Sequence, residues 1–246
     1  MNDFLYGVQP VFSALRHEKR SLKKLYLKKN FDSSIRLEEI REMAEKIGIP
    51  VNEVSKIKLS EMSSNSVHQG VVLFCSTLNF SSIDDYSQLF NKHAPIIMAL
   101  DQIEDPQNFG AIIRTCGFYN VEAAVVTKNH ACRLSPAVSK ASAGVSEWFP
   151  VIKVPNLSRF LRDHKSKGFW VVGLEENTKE SVFNLKRDRP LIIVLGNEGR
   201  GIRYLVKNNC DILYRIPGNR QISSLNVSNA AAVVLSHLNK PSEISN

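Results

Sequence analysis

Gly196-Asn197-Glu198-Gly199-Arg200-Gly201 follows the apolar run Leu191-Ile192-Ile193-Val194-Leu195. Further on, Ile216-Pro217-Gly218-Asn219-Arg220-Gln221-Ile222-Ser223-Ser224-Leu225-Asn226-Val227-Ser228 follows Asp211-Ile212-Leu213-Tyr214. Both segments read as strand ends emptying into glycine-rich loops that open helices. A third stretch fits the same description: Asp105-Pro106-Gln107-Asn108-Phe109-Gly110-Ala111-Ile112-Ile113-Arg114-Thr115, after Ile96-Ile97-Met98-Ala99-Leu100. In an open α/β sheet, ligands collect at the carboxyl ends of strands. Glycine there lets backbone N–H groups come close to a ligand. Loops of this kind converging on one edge make a pocket.

Around these loops, strands and helices alternate. Strands are expected at 96–100, 122–127, 149–154, 169–174, 191–195 and 211–216. Helices are expected at 108–119, 135–144, 156–167, 201–209 and 225–239. The alternation argues for a largely parallel sheet with helices on both faces. On the first of these helices Phe109, Ile112, Ile113 and Cys116 form the inward stripe. Arg114 falls well away from it, either facing a site or standing as a surface arginine without a role.

The amino-terminal third has a different character. Val8, Val11, Phe12 and Leu15 recur at helical spacing, with Pro10 acceptable only in the first turn. A strand over 22–29 follows, then a helix marked by Leu37, Ile40, Ala44 and Ile47 that stops at Gly48. Val67-His68-Gln69-Gly70-Val71 reads as a turn entering a strand. Residues 1–75 thus form a compact α/β module. Residues 76–93 are a polar connector in which Ile83, Tyr86, Leu89 and Phe90 suggest a short helix, and 94–246 make the second domain. Arg16, Lys19, Arg20, Lys23, Lys24, Lys28 and Lys29 cluster in the first module against one acid, Glu18. The cluster reads either as a solvated face or as a face that holds RNA phosphates. His68 either satisfies a local hydrogen bond or contacts RNA.

Composition sets the wider frame. With 246 residues, 43% of them hydrophobic, the chain can bury a core unaided. The net charge of +8 favours a polyanionic partner without requiring one. Cys75, Cys116, Cys132 and Cys210 are scattered in apolar surroundings and read as buried free thiols, not a disulfide frame or a zinc site. No signal peptide and no apolar run near the roughly 20 residues of a membrane span is present, so a cytoplasmic location is expected. A dinucleotide enzyme is disfavoured, since no G-x-G-x-x-G follows the first strand.

The three loop segments resemble the signature motifs of the SpoU/TrmH class of RNA ribose 2′-O-methyltransferases, part of the SPOUT superfamily, in order and spacing. Asp105 to Thr115 is similar to the first motif and Leu195 to Gly201 to the second. Ile216-Pro217 with Ser224-Leu225-Asn226-Val227-Ser228 is similar to the third. Tyr6-Gly7-Val8-Gln9-Pro10-Val11 and the His68-Gln69-Gly70 turn resemble the amino-terminal substrate-binding domain of a narrower group. That group is the bacterial 23S rRNA guanosine-2′-O-methyltransferases with their mitochondrial relatives.

The resemblance implies a carboxy-terminal domain with a deep trefoil knot, an exception to the rule that chains do not thread loops. It implies an L30e-like amino-terminal module that grips large-subunit rRNA, for which the charge cluster and the turn offer Arg16, Lys19, Arg20, Lys23, Lys24 and His68 as candidate contacts. It also implies a homodimer formed through the carboxy-terminal domain. S-adenosylmethionine would be held at Gly196, Ile216 and Leu225, largely by backbone groups, with Leu195, Pro217 and Gly201 beside them. Arg114 would act as the base in this class. A guanidinium with a pKa above about 12 is an awkward base unless a substrate phosphate takes up the proton. Asn108 offers both donor and acceptor to ribose hydroxyls, and Glu198 would position Arg114 or the RNA. Ser224 and Asn226 lie where the last helix begins, so Ser224 is either a site residue or only an N-cap. No metal is required, because the sulfonium leaving group is already cationic.

The chain departs from the pattern at Gly218, where the class usually has methionine, and at Asn219-Arg220-Gln221, where smaller residues are common. Two rival readings remain. A non-catalytic RNA-binding scaffold would not need Arg114, Asn108 and Glu198. A tRNA methyltransferase of the same class would share every catalytic residue, but its commonest members use short helical extensions in place of the amino-terminal module.

Overall fold

The computed structural model describes residues 1–29, 35–84, 94–219, 221 and 224–239. The short helix expected within 76–93 falls largely on 85–93 and lies outside the described residues. By packing, the chain forms two units. The first is Met1–Asn79 with Arg133–Phe149, and the second is Phe80–Cys132 with Pro150–Asn246. Residues 133–149 therefore pack with the amino-terminal residues.

The second unit is built on parallel strands. They are β5 (Ile96–Asp101), β6 (Ala123–Thr127), β7 (Val151–Val154), β8 (Trp170–Leu174), β9 (Leu191–Gly196) and β10 (Ile212–Tyr214). Among the described residues their order is β10-β8-β9-β5-β6-β7, and every pairing is parallel. β5, β6 and β9 are apolar on both faces because helices cover both. The helices are α4 (Pro106–Phe118), α6 (Leu157–Lys165), α7 (Tyr204–Lys207) and α8 (Val227–Leu238). Ile97, Ala99, Ile192 and Val194 join Leu157, Phe160, Leu161 and Val206 in one core. α4 packs along α8. From β5 the chain runs outward through β6 to β7, while β8 and β9 lie on the other side. The topological switch point therefore falls between β5 and β9, where Asp101 pairs with Gly196.

Two helices are shorter than their periodicity suggests, for backbone reasons. The helix expected at 135–144 is α5 (Pro136–Ala141), because Ala143 and Gly144 turn left-handed at φ 51° and 85°. The helix expected at 201–209 is one turn, because Gly201 has φ 65° and Arg203 stays extended.

The first unit holds β1 (Asn2–Tyr6), α1 (Val8–His17), β2 (Leu22–Lys28), α2 (Ile35–Ile47), β3 (Val51–Val54), α3 (Lys56–Met62) and β4 (Val71–Ser76). The sheet order is β1-β4-β2-β3. Leu5, Leu25, Leu27, Val71 and Leu73 meet Val11, Leu15, Leu37 and Ile40 of α1 and α2 in the core. Gly48 ends α2 at φ 84°, as its position suggests. β1, β3 and α3 have no clear sequence signal.

Residues 133–149 pack on α1 and β1 through α5 and a 3-10 turn at Val145–Glu147. A Cβ at Gly144 would lie 2.6 Å from the Gln9 carbonyl oxygen, so this approach to α1 needs glycine.

Arg20 does not lie on the exposed basic face on which the sequence places it. Its side chain is fully buried. Nε donates to Glu147 Oε2 at 2.6 Å and Nη2 to Glu147 Oε1 at 2.8 Å. Nη1 donates to the Ser76 carbonyl oxygen at 3.2 Å, and Ser139 Oγ donates to Glu147 Oε1 at 2.5 Å. Local charge pattern cannot reveal a partner that lies 127 positions away. His68 is also buried, with Nδ1 accepting from the Gly70 N–H at 3.1 Å and Nε2 3.3 Å from Ser60 Oγ. Its bonds are the local ones, and burial, followed by the charges of Lys56 and Lys140, lowers its pKa.

The four cysteines form no disulfide among the described residues, and burial raises each thiol, Cys75 and Cys132 to about 11 and Cys210 to about 12. Among the described residues no helix is long and apolar enough to cross a membrane.

Candidate active site

The site lies at the switch point and is built from three strand-end segments of the second unit. Asp105 N-caps α4 by accepting from the Asn108 N–H at 2.8 Å, with Pro106 in the first helical position. The cap holds Asn108 in the first turn of α4, above the end of β5.

The glycine-rich loop after β9 is closed on itself. Asn197 and Gly201 exchange backbone hydrogen bonds at 3.1 and 2.8 Å. Asn197 Oδ1 accepts from the N–H groups of Gly199 and Arg200, and its Nδ2 donates to the Gln102 carbonyl oxygen at 3.0 Å. The loop's exit is pinned by Asp101, which is fully buried at the end of β5. Asp101 Oδ2 accepts from the Arg203 N–H at 2.9 Å, and Oδ1 accepts from its Nε at 2.8 Å and Nη2 at 2.6 Å. This arrangement leaves Glu198 at the apex of the loop.

The third segment ends in Asn226, which N-caps α8 by accepting from the Ser228 N–H at 2.9 Å and from Ser228 Oγ at 2.6 Å. The cap is therefore Asn226 and not Ser224, whose residue is exposed two positions earlier.

Asn108 joins the three segments. Its Nδ2 donates to Glu198 Oε1, and its Oδ1 accepts from Asn226 Nδ2 at 2.9 Å. Since Asn226 Oδ1 is taken by Ser228, the amide orientations along Glu198–Asn108–Asn226–Ser228 are mutually fixed. Arg114 is exposed on α4, beyond this chain of bonds. Leu195 is buried, Ile216 half-buried and Pro217 exposed. Leu225, two residues before α8, is 47% exposed. A Cβ at Gly201 or Gly218 would meet nothing within 4 Å, so bare backbone faces open space there. Arg220, Ile222 and Ser223 lie outside the described residues.

A model of the SpoU rRNA methylase family matches residues 95–236. The chain belongs to the SpoU family. A model for substrate binding in RNA 2′-O ribose methyltransferases matches residues 4–81. The Haemophilus influenzae protein named 23S rRNA (guanosine-2′-O-)-methyltransferase RlmB is 35% identical, over 96% of this chain and 96% of that one. The Pseudomonas aeruginosa RlmB is 34% identical, over 94% and 93%. A Bacillus subtilis protein named as a TrmH family tRNA/rRNA methyltransferase, YacO, is 35% identical over 95% and 94%. Among solved structures, the SpoU methyltransferase AviRb of Streptomyces viridochromogenes, in complex with AdoMet, superposes with a TM-score of 0.77. It covers 96% of this chain and 88% of that one at 21% identity, a likeness of fold.

Sequence reading of this SpoU chain misses the Asp101–Arg203 clamp. An acid closing an otherwise apolar strand is the available signal, but its partner lies 102 positions on. The clamp and the closed loop also predict the effect of Gly196→Ala. A Cβ at Gly196 would run into the backbone of Gly201 and Ile202, which cannot yield without opening the loop. The variant is expected to lose about 1–3 kcal/mol of stability, read as a lower midpoint in urea.

Proposed function

We infer that the protein transfers a methyl group from S-adenosylmethionine to the 2′-hydroxyl of a guanosine ribose in 23S rRNA, during ribosome maturation. The observation that carries this reading is the hydrogen-bonded chain Glu198–Asn108–Asn226, which brings all three motifs to one point at the switch of the sheet. The names of the RlmB relatives, similar over nearly the whole chain, supply the substrate.

The residues fit the cofactor. Open space lies against bare backbone at Gly201 and Gly218, and Leu225 offers an uncovered apolar side chain. Gly196, Ile216 and Leu225, with Leu195, Pro217 and Gly201, would hold it. When bound, S-adenosylmethionine supplies an electrophilic methyl on a cationic sulfur.

The remaining work falls to the chain and the RNA. A ribose hydroxyl is a poor nucleophile and must lose its proton as it attacks. Asn108 orients the ribose, because its amide is already fixed by Glu198 and Asn226. Arg114 has no hydrogen-bond or ion-pair partner among the described residues, so its donors are available to the 2′-oxygen and to an RNA phosphate. The guanidinium stabilises the oxygen as charge develops, and the phosphate receives the proton. Glu198 holds Asn108, and Ser224 stands at the rim.

We further propose the domain organisation that the family implies. Residues 1–75 form an L30e-like module whose Arg16, Lys19, Lys23 and Lys24 meet rRNA phosphates, and 76–93 link it to a catalytic domain within 94–246 with a deep trefoil knot, residues 133–149 packing with the amino-terminal unit. The protein works as a homodimer in the cytoplasm.

The test is methyl transfer from labelled S-adenosylmethionine to unmodified 23S rRNA, 16S rRNA and tRNA in parallel, with the modified nucleotide mapped. Label on the ribose of one guanosine in 23S rRNA is the expected result. Label on tRNA alone would keep the chemistry and replace the substrate, a reading favoured only by the tRNA/rRNA name of YacO. Absence of both cofactor binding and transfer would overturn the enzyme.

A further inference from the structure

The sheet of the first unit has two unlike faces. Alternation sends Leu5, Leu25, Leu27, Val71, Leu73 and Cys75 into the core with α1 and α2. The alternate residues point the other way, and there Phe4 of β1 stands directly opposite Phe74 of β4. Their ring centroids are 5.0 Å apart with planes inclined by 31°. Phe4 is 37% exposed and Phe74 is half-buried, so the ring pair reaches solvent.

The neighbouring strand surrounds these rings with positive charge. Lys24 of β2 pairs with Phe74, and the register shifts between Leu22 and Lys24. That irregularity turns Lys23 to the aromatic face beside Lys24, which strict alternation forbids. Lys23 Nζ lies 5.4 Å from the Phe74 ring centroid and donates to Asn2 Oδ1 at 2.7 Å. Lys24 Nζ lies 5.5 Å from the Tyr26 ring centroid. Neither lysine has an acidic partner among the described residues. Their ammonium groups rest on aromatic faces, an arrangement worth little in water and readily exchanged for a phosphate.

Aromatic rings that reach solvent on a sheet, flanked by lysines without acidic partners among the described residues, match the chemistry of an unpaired nucleotide: a flat base to stack and a phosphate to neutralise. A duplex offers the phosphates but no free base face. We propose that the Phe4–Phe74 end of this outer face is a stacking platform for unpaired bases of the RNA substrate. Phe4 and Phe74 take a base, and Lys23 and Lys24 hold the phosphates beside it. The proposal rests on the reading of RNA as substrate, and adds which RNA feature the amino-terminal unit selects.

The test uses the full chain and fluorescence anisotropy with two probes, a fluorescein-labelled 12-nucleotide single-stranded RNA and the same strand in duplex. The double variant Phe4→Leu/Phe74→Leu keeps apolar cover but removes both rings, and its fold is checked by circular dichroism. It is expected to bind the single strand at least about tenfold more weakly and the duplex unchanged. Lys23→Gln/Lys24→Gln is expected to weaken both probes and to lower the single-strand salt slope by roughly 1.4, at about 0.7 per phosphate. A folded leucine variant that binds the single strand like wild type overturns the platform, as does an equal loss on both probes. Methyl transfer to 23S rRNA by the wild-type preparation keeps the two readings apart. No transfer, with selective loss of single-strand binding in the leucine variant, rejects the proposed substrate and keeps the platform. Transfer with unchanged binding rejects the platform alone.

Discussion

Arg114→Ala is expected to lower kcat for methyl transfer by about 10³-fold, within the range of a lost proton-transfer or charge-stabilising group. S-adenosylmethionine affinity should change little, because Arg114 is exposed on α4 and takes no part in the closed loop. The two measurements are single-turnover transfer and calorimetric cofactor binding. Stability is expected to hold, since Arg114 lies off the buried stripe of Phe109, Ile112, Ile113 and Cys116. A variant with near wild-type turnover would remove Arg114 from the chemistry. A variant that fails to bind cofactor would make it a structural residue. Asn108→Ala provides the contrast: it also frees Glu198 and Asn226, so its effects on turnover and on loop order should not separate.

Glu147→Ala is expected to be the most destabilising single change. It leaves the Arg20 guanidinium buried, with Asp3 at 3.4 Å as its nearest remaining acid. Burial works against the charge of Arg20, but the hydrogen bonds and charge of Glu147, with help from Cys75 and Asp3, outweigh it and raise its pKa. Both side chains are essentially solvent-free, so removing one partner costs about 3–5 kcal/mol. At roughly 2–4 °C per kcal/mol for a chain of this size, the melting midpoint should fall by about 10 °C. Arg20→Met combined with Glu147→Leu should recover much of that loss, since an apolar pair of similar volume needs no compensation. Scanning calorimetry of the three proteins decides. A midpoint for Glu147→Ala within 2–3 °C of wild type would mean that water reaches Arg20.

The difference between these two sites explains what could be read in advance. β5, β6 and β9 are legible because strands covered on both faces become continuous apolar runs. The loops beyond them are legible because glycine, proline and capping residues must stand at fixed offsets there. β1 and β3 are not, because edge strands with few fully buried residues leave little periodicity: Leu5 alone is fully buried in β1, and no residue in β3. α3 is similarly hidden, with one buried residue, Leu59.

The basic cluster shows the limit from the other side. Arg16 and Lys23 are exposed and Lys24 is half-buried, while Arg20, in the same run, is among the most buried charges of the described residues. One-dimensional charge counting treats all of them alike, because the acid that buries Arg20 comes from residues 133–149.

The sequence by itself determined the alternating α/β order, the three strand-end motifs, the helix that presents Arg114 away from its core, and the family. These are set by local spacing of apolar, glycine and capping residues, and local spacing is visible in one dimension. Only the tertiary structure decided that Asn108 links Glu198 to Asn226, that Asp101 clamps the loop through Arg203, and that residues 133–149 bind Arg20 through Glu147. Each of these rests on hydrogen bonds between groups roughly 90 to 130 positions apart. Such a bond requires both groups to be brought within about 3 Å, and folding alone brings them there.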